Sequence, residues 1–493
     1  MIWEKDGCCG KEKPMNRKMF TLLAFALLLV FSPVCRAETY IVSPDGMTLT
    51  EALALCADGD VIDLADGVYS EPGEVFPLTV QKAITLRAAE GASPVIDAPA
   101  LEAALRVEAD HVAFQGLDIR FRRTGIYAIG NDMTVENCRI TLADPAWRTS
   151  SCGMWCGGVY RVTLRDCAFT GCGVSLAGPP LSESSAGKPV LTGLFEVGEE
   201  LEYFTTHTME NCTVNGKPLF YAVSLPEVSA PEGMGEIVCC GCGKVTVKNA
   251  DVSDCSMGME LVYNDWIDIE NCSADRCGVF GIYAAKCGGG TLNRCSAEQT
   301  NHGLDVRACQ QITLLNCAAV NCEQGLFFSK VNDSAMIGCA VTGTGQGYFM
   351  AGGEGNILLN CAAVACENGF RLEKEESVLM TGCTAEKCTV CGARLFASPA
   401  AFVHNTLREN WTAVMAYGGV SFDIADNLFE NNACCGLYLR DIAFSRIAGN
   451  TFTGSGQISV QAVGVVNGSL WLENALDLPA DFSGVSDGFG LME

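Results

Sequence analysis

From about residue 255 to residue 450 the chain alternates apolar and variable positions over short stretches, and the alternation is broken at a nearly constant interval. The stretch LLNCAAVNCEQGLF (314–327) returns 44 residues later as LLNCAAVACENGFR (358–371). Around these, Cys272, Cys295, Cys317, Cys339, Cys361 and Cys383 stand 23, 22, 22, 22 and 22 residues apart, and Asn405, Asn427 and Asn450 continue the column at 22, 22 and 23. Five residues on runs a second column: Cys255, Cys277, Thr300, Cys322, Thr344, Cys366, Cys388, Asn410 and Asn432. A glycine follows within three or four residues in most repeats, from Gly258 and Gly281 to Gly436. Period two inside a period near 22 predicts short strands joined by tight turns, one coil per repeat. A leucine-rich repeat has a similar length but needs a leucine framework and a helix-compatible half, which these repeats lack. The predicted class is all-β, a right-handed parallel β-helix whose coils stack in register about 4.8 Å apart, so that equivalent residues form ladders.

Earlier in the chain Cys138, Cys167 and Cys212 carry the same signature at intervals of 29 and 45 residues, which predicts inserted loops, the largest over about 175–235. TLTEALALCADGDVIDLADGVYSE predicts a short helix over 49–56 that closes the open end of the solenoid, followed by a strand. At the front, Arg17 and Lys18 precede an apolar run from Phe20 to Phe31 and the small residue Ala37, the order of an export signal. The run falls short of the ~20 residues a bilayer span needs. The expected organisation is an export signal over 1–37, cap and first coils over 38–100, the β-helix over 101–463, and a C-terminal cap or tail over 464–493. The mature chain is expected outside the cytoplasm (periplasmic, secreted or on the cell surface) with no transmembrane segment.

Charge narrows the partners. With 58 acidic against 32 basic residues the net charge is −26, which argues against nucleic acid. Twenty-nine cysteines in an exported chain would ordinarily indicate a disulfide scaffold. Their columnar placement instead makes them small interior hydrophobes. Parallel side chains on stacked coils hold Cβ atoms near 4.8 Å, whereas a disulfide needs ~3.8 Å. Mostly free thiols are expected, with a few local bridges. CCGC at Cys239–Cys242, the vicinal pair Cys434–Cys435 and CTVC at Cys388–Cys391 offer soft ligands, but Cys388 belongs to the interior column and the sequence does not bring four sulfurs together, so neither a metal site nor a cofactor is assigned.

If the residue after each repeat glycine points inward, as Met259, Ile282, Leu304, Leu326, Tyr348 and Phe370 suggest, the next points out. The outward column is then Glu260, Tyr283, Asp305, Phe327, Phe349, Arg371, Arg394 and Tyr438. A second lies two residues on: Val262, Ala285, Arg307, Ser329, Ala351, Glu373, Phe396 and Arg440, with Ala416 assigned there in the repeat that slips at Trp411. Exposed rings and charges in one strip fit sugar binding, Tyr283, Phe327, Phe349, Arg371, Arg394 and Tyr438 being the contact residues. The competing reading is a covered face whose aromatics merely suit strands. The densest polar cluster, His302, Asp305 and Arg307 in NHGLDVR, lies near Glu260 and Lys286 and offers acid and base groups. A lyase needs a base and a cation to stabilise an enolate. A hydrolase needs carboxylates about 5–9.5 Å apart, and Glu260 and Asp305, two coils apart, would stand at about 9.6 Å. An Asp and an Arg on one strand face are also a common surface ion pair.

DGDVIDLADGVYSE followed by ITLRAAEG resembles the opening of pectate-lyase-like and pectin-esterase-like β-helix proteins. HTMENCTVNGKPLFY (207–221), with the GEIVCCGCGKVTVKNADVSDC run after it, resembles the NosD-like periplasmic copper-binding and carbohydrate-binding β-helix family, over roughly residues 100–450. The resemblance implies the fold and an exported protein. It implies no single activity, because the family mixes maturation factors, surface proteins and sugar-active enzymes. The paired aspartates of polygalacturonases, the Asp-Pro-His-Asp run of mannuronan epimerases and the pectin-esterase strings are absent from the chain. Asn215–Pro218 fits a structural turn. The expected function is binding of a polysaccharide or cell-surface glycan on an exposed strand face. The alternatives are a polysaccharide lyase or glycoside hydrolase at that face, and a structural surface or adhesion protein.

Overall fold

The computed structural model of the protein describes residues 37–98, 103–176, 182–183, 189–190, 200–487 and 490–491. The expected export signal lies outside them. No helix among the described residues is long and apolar enough to cross a membrane.

One repeat shows how sequence becomes coil. His302–Arg307, Ile312–Leu315 and Ala318–Val320 are successive strands, and Gln324–Ser329 begins the next turn. Each pairs in parallel with its counterpart 22 residues later, Leu304 with Leu326, Thr313 with Ala335, Ala318 with Ala340. The result is a right-handed parallel β-helix of three sheets, the interval in the sequence becoming the step along the axis. A sheet of long strands runs from Lys217–Val223 to Ala480–Asp487, flanked by sheets of thirteen and eight strands.

The corner before the cysteine column is one left-handed residue. Asn316, Gly338, Asn360 and Gly382 have φ of 53°, 61°, 53° and 65°, the region Asn and Gly adopt at least cost. The chain then turns Cys317, Cys339, Cys361 and Cys383 inward, where they are buried. Cys317 Sγ lies 3.2 Å from Leu292 O and Cys361 Sγ 3.2 Å from Met336 O, as S–H donors. Where asparagine replaces cysteine the same carbonyls are served by an amide: Asn405 Nδ2 donates to Met380 O at 3.0 Å and Asn427 Nδ2 to Phe402 O at 2.9 Å. All 26 described cysteines are free thiols. The repeat glycine has a steric cause: a Cβ on Gly303 would stand 2.6 Å from Gly325 O, and one on Gly325 2.4 Å from Gly347 O.

The N-terminal half repeats the plan, as in Ala103–Val107, Ala113–Gln115 and Asp118–Phe121. The expected helix forms over Leu49–Leu55, with Thr48 and Glu51 closing a capping box and Glu74 accepting from Leu49 N (2.8 Å) and Thr50 N (2.7 Å). Leu49 and Ala52 are its buried residues, and it packs against Leu78–Val80. Asn215 and Gly216 (φ 53° and 75°) form a hairpin turn between Thr213–Val214 and Lys217–Val223. Past Gly464 the strands Leu470–Leu472 and Ala480–Asp487 extend the same sheets.

The two halves meet through side chains. Val174 N donates to both Glu236 oxygens (3.1 and 3.2 Å), Leu176 N to Glu260 Oε2 (3.0 Å), and Gly153 N and Gly173 N to Ser256 Oγ (3.0 and 2.8 Å). Glu236 is fully buried, and burial, with Glu260 nearby, pushes its carboxyl well above the ordinary value.

Candidate functional site

The long strands carry the predicted outward positions, and the inward partners settle their direction. Leu304, Leu326, Tyr348 and Phe370 lie in the core, as do Val306, Phe328, Met350 and Leu372, so the residues between them face out. In the repeat that slips, Ala416 is a core residue paired with Leu395 and Leu439. Its place in the second outward column belongs to Tyr417, opposite Phe396 and Arg440. Ala413 stands where other repeats have glycine, which upsets a count from that glycine. Counting seven from Asn410 gives Tyr417, as seven from Cys366 gives Glu373.

Exposure differs from expectation over the first coils. Glu260, Tyr283, Asp305 and Arg307 are 0, 2, 0 and 1% exposed, and His302 is also buried. Glu260 is engaged by Leu176 N, just past the strand Val174–Ser175 of the N-terminal half. Asp305 is enclosed by its own partners: Arg307 Nε and Nη2 donate to its two oxygens at 2.6 and 2.7 Å, and His302 Nδ1 lies 2.7 Å from Oδ2. Arg307 in turn lies under rings, its Cζ 5.6 Å from the Phe280 centroid and 4.8 Å from that of Phe327. Phe327 and Phe349, both 7% exposed, stack at 4.8 Å and 16°, because rings on adjacent rungs cover one another. Tyr283 is likewise packed 4.8 Å from Phe280.

His302, Asp305 and Arg307 thus come together in one bonded cluster, and Glu260, two rungs away across Tyr283, does not join it. Burial raises the Asp305 carboxyl, but Arg307, assisted by His302, holds it below the ordinary value. Burial outweighs the pull of Asp305 and lowers His302. For Arg307 the lowering by burial is exceeded by Asp305, and its pKa rises. Neutral imidazole, carboxylate and guanidinium make a charge-balanced clamp. A carboxylate with both oxygens bonded to one guanidinium holds strands and rings in place more readily than it takes up a proton.

Further along the axis the same face opens. Arg371, Arg394, Phe396, Met415, Tyr417 and Tyr438 are partly exposed and Arg440 is exposed. Arg371 Cζ lies 5.0 Å from the Phe349 centroid and Arg394 Cζ 5.2 Å from that of Tyr417, with Phe396 and Tyr417 at 5.0 Å. Arg371 pairs with Glu373 at 2.6 Å and Arg440 with Asp441 at 3.4 Å. Arg394 donates to the Tyr417 hydroxyl, and no described carboxylate pairs with it.

A third outward column runs through Phe280, His302, Gln324, Gln346 and Asn368; of these the sequence pointed to His302 alone, as part of a polar cluster and not of a column. Strict alternation assigns that edge to the glycine. The close approach that demands glycine also breaks the alternation, so the residue before it faces out. The constant glycine column was the available signal.

The sequence model of the family described as "Right handed beta helix region" matches residues 207–363, 301–429 and 328–475. One described as "Protein of unknown function (DUF1565)" matches 46–215. No curated protein matches the chain. Similar solved structures include pectate lyase Pel9A (14% identity, 91% of this chain and 79% of that one, TM-score 0.20). A periplasmic alginate epimerase is 9% identical over 84% of this chain and 85% of its own, TM-score 0.28. A PL6 alginate lyase in complex with a trisaccharide is 9% identical over 92% and 88%, TM-score 0.23. Global overlap this loose carries no argument about chemistry.

Proposed function

Because the chain belongs to the right-handed β-helix family, whose sequence model matches more than half of it, we propose that it is an exported protein that binds an acidic polysaccharide along the open part of its long-strand sheet. The observation that carries the reading is a local inversion of charge. In a chain of net charge −26, the outward positions of the strands from Gln324–Ser329 to Cys435–Arg440 hold three arginines, Arg371, Arg394 and Arg440, against one carboxylate, Glu373. Exposed rings are interleaved with them on the same and neighbouring rungs: Phe396, Tyr417 and Tyr438. Sugar rings present apolar C–H faces that suit aromatic rings, and a guanidinium fork matches a uronate carboxylate. Arg394 is the principal anchor, because it has no described carboxylate to compete with the ligand.

Calorimetric titration with oligouronates tests this. Binding is expected, weakened about tenfold or more (about 1.4 kcal/mol) by Arg394→Ala or Tyr417→Ala with the fold retained. Unchanged affinity in both variants, or no binding to any oligouronate, contradicts the proposal.

A further inference from the structure

At the turns that follow the strip's last outward column, three successive coils leave a surface cleft of about 520 Å³. It is bounded by Lys374, Glu376 and Ser377, by Ala397 with Pro399, and by Gly418 to Val420. Ala397, Gly418 and Gly419 give its lining small side chains. A Cβ on Gly418, whose φ is +67°, would stand 3.0 Å from Phe396 Cε2, and one on Gly419 2.7 Å from Phe422 Cζ. The Phe396 ring therefore overhangs Gly418, and the cleft is continuous with the aromatic and arginine strip.

The wall chemistry is specific. Pro399 and Val420, the latter 49% exposed, give an apolar side. The same cleft is lined by Lys374, Glu376 and Ser377, all exposed. Lys374 and Glu376 form no ion pair with one another or with any other described residue. An ammonium donor, a carboxylate acceptor and a hydroxyl in one cleft with apolar groups match a pyranose ring, which has one C–H face and a rim of hydroxyls. Because the cleft contains both charge signs, it has no preference for a carboxylate, unlike the strip. Its volume admits one or two sugar units.

We infer that this cleft is a second subsite, taking a neutral hexose that branches from the acidic chain bound on the strip. The inference rests on the proposed glycan-binding reading and adds to it the architecture of the ligand: a uronate backbone with neutral pendant sugars. Lys374 and Val420 act here and not on the backbone.

The test compares three probes on the full chain by titration and ligand-observed NMR: a linear oligouronate, the same backbone bearing one neutral hexose branch, and neutral methyl hexosides. Wild-type protein binds the branched chain about tenfold more tightly than the linear one and shows saturation transfer to a methyl hexoside. Lys374→Asn, which suits the left-handed φ of 54° at that position, and Val420→Trp, which fills the cleft, abolish both effects and leave linear binding unchanged. Linear binding without a branch preference or hexoside signal overturns the cleft assignment and spares the strip. Hexoside transfer lost in Val420→Trp, without uronate binding, overturns the strip and spares the cleft as a hexose site. Silence of all three probes overturns both.

Discussion

Cys361 and Asn427 hold the same place in their coils and bond the same kind of carbonyl, yet they differ in what each can support. The thiol donates one weak bond to Met336 O. The amide donates to Phe402 O and Asn450 Oδ1 and accepts from Asn405 N and Nδ2, so it links three coils. Replacing Asn427 by alanine leaves several buried polar groups unpaired and should cost about 2–4 kcal/mol, against about 1 kcal/mol for Cys361→Ala. Urea denaturation of both variants checks the ratio, and equal losses would contradict the bonding scheme. Asp305 makes a sharper case. Removing one partner of a fully buried, bidentate pair strands the other charge, so Asp305→Ala should destabilise by about 3–5 kcal/mol. A stability close to wild type would return the cluster to the status of a surface pair. The periodic columns and inward cysteines were legible because each is a local consequence of the 22-residue interval. The burial of Asp305 was not, since it depends on Arg307 folding back between Phe280 and Phe327.

At the level of strands, the long strands keep strict alternation only beyond the repeat glycine, and the column of Gln324 and Gln346 lies on the other side of that break. The sequence therefore revealed the strip's arginines and most of its rings but not Gln324 or Gln346, and it missed Tyr417 because Ala413 stands in place of the repeat glycine. The junction between the halves was invisible to it for a different reason. Glu236 and Ser256 act on Val174, Gly153 and Gly173, residues tens of positions away with no repeat to relate them. The junction gives a signed pH dependence. The Glu236 carboxyl is raised in the folded state, so folding favours its protonated form. Its contribution is fully present below the ordinary value of about 4.5 and is lost as pH rises toward the folded-state pKa. Glu236→Gln, which cannot ionise, should match wild type below that value and unfold a few degrees higher at pH 8. A Gln variant less stable than wild type at pH 8 would mean that the native junction requires the carboxylate.

Over the whole molecule, parallel stacking turns a sequence interval into a surface, and the same surface is closed at one end and open at the other. Near the junction the outer face of the long-strand sheet is buried around Glu260, Asp305 and Arg307. From Arg371 onward it presents guanidinium groups and rings at rungs about 4.8 Å apart. The sequence established the direction of these side chains but not their exposure, because cover comes from how side chains fold over one another on adjacent coils and, at Glu260, from the N-terminal half. The central claim is that the open end selects carboxylates on a sugar chain. The most direct measurement is an equilibrium titration of the wild-type protein with one oligouronate and with its carboxyl-reduced counterpart, identical in length and linkage. At least tenfold tighter binding of the uronate is expected, whereas equal affinity for the two would contradict selection of carboxylates by the open end.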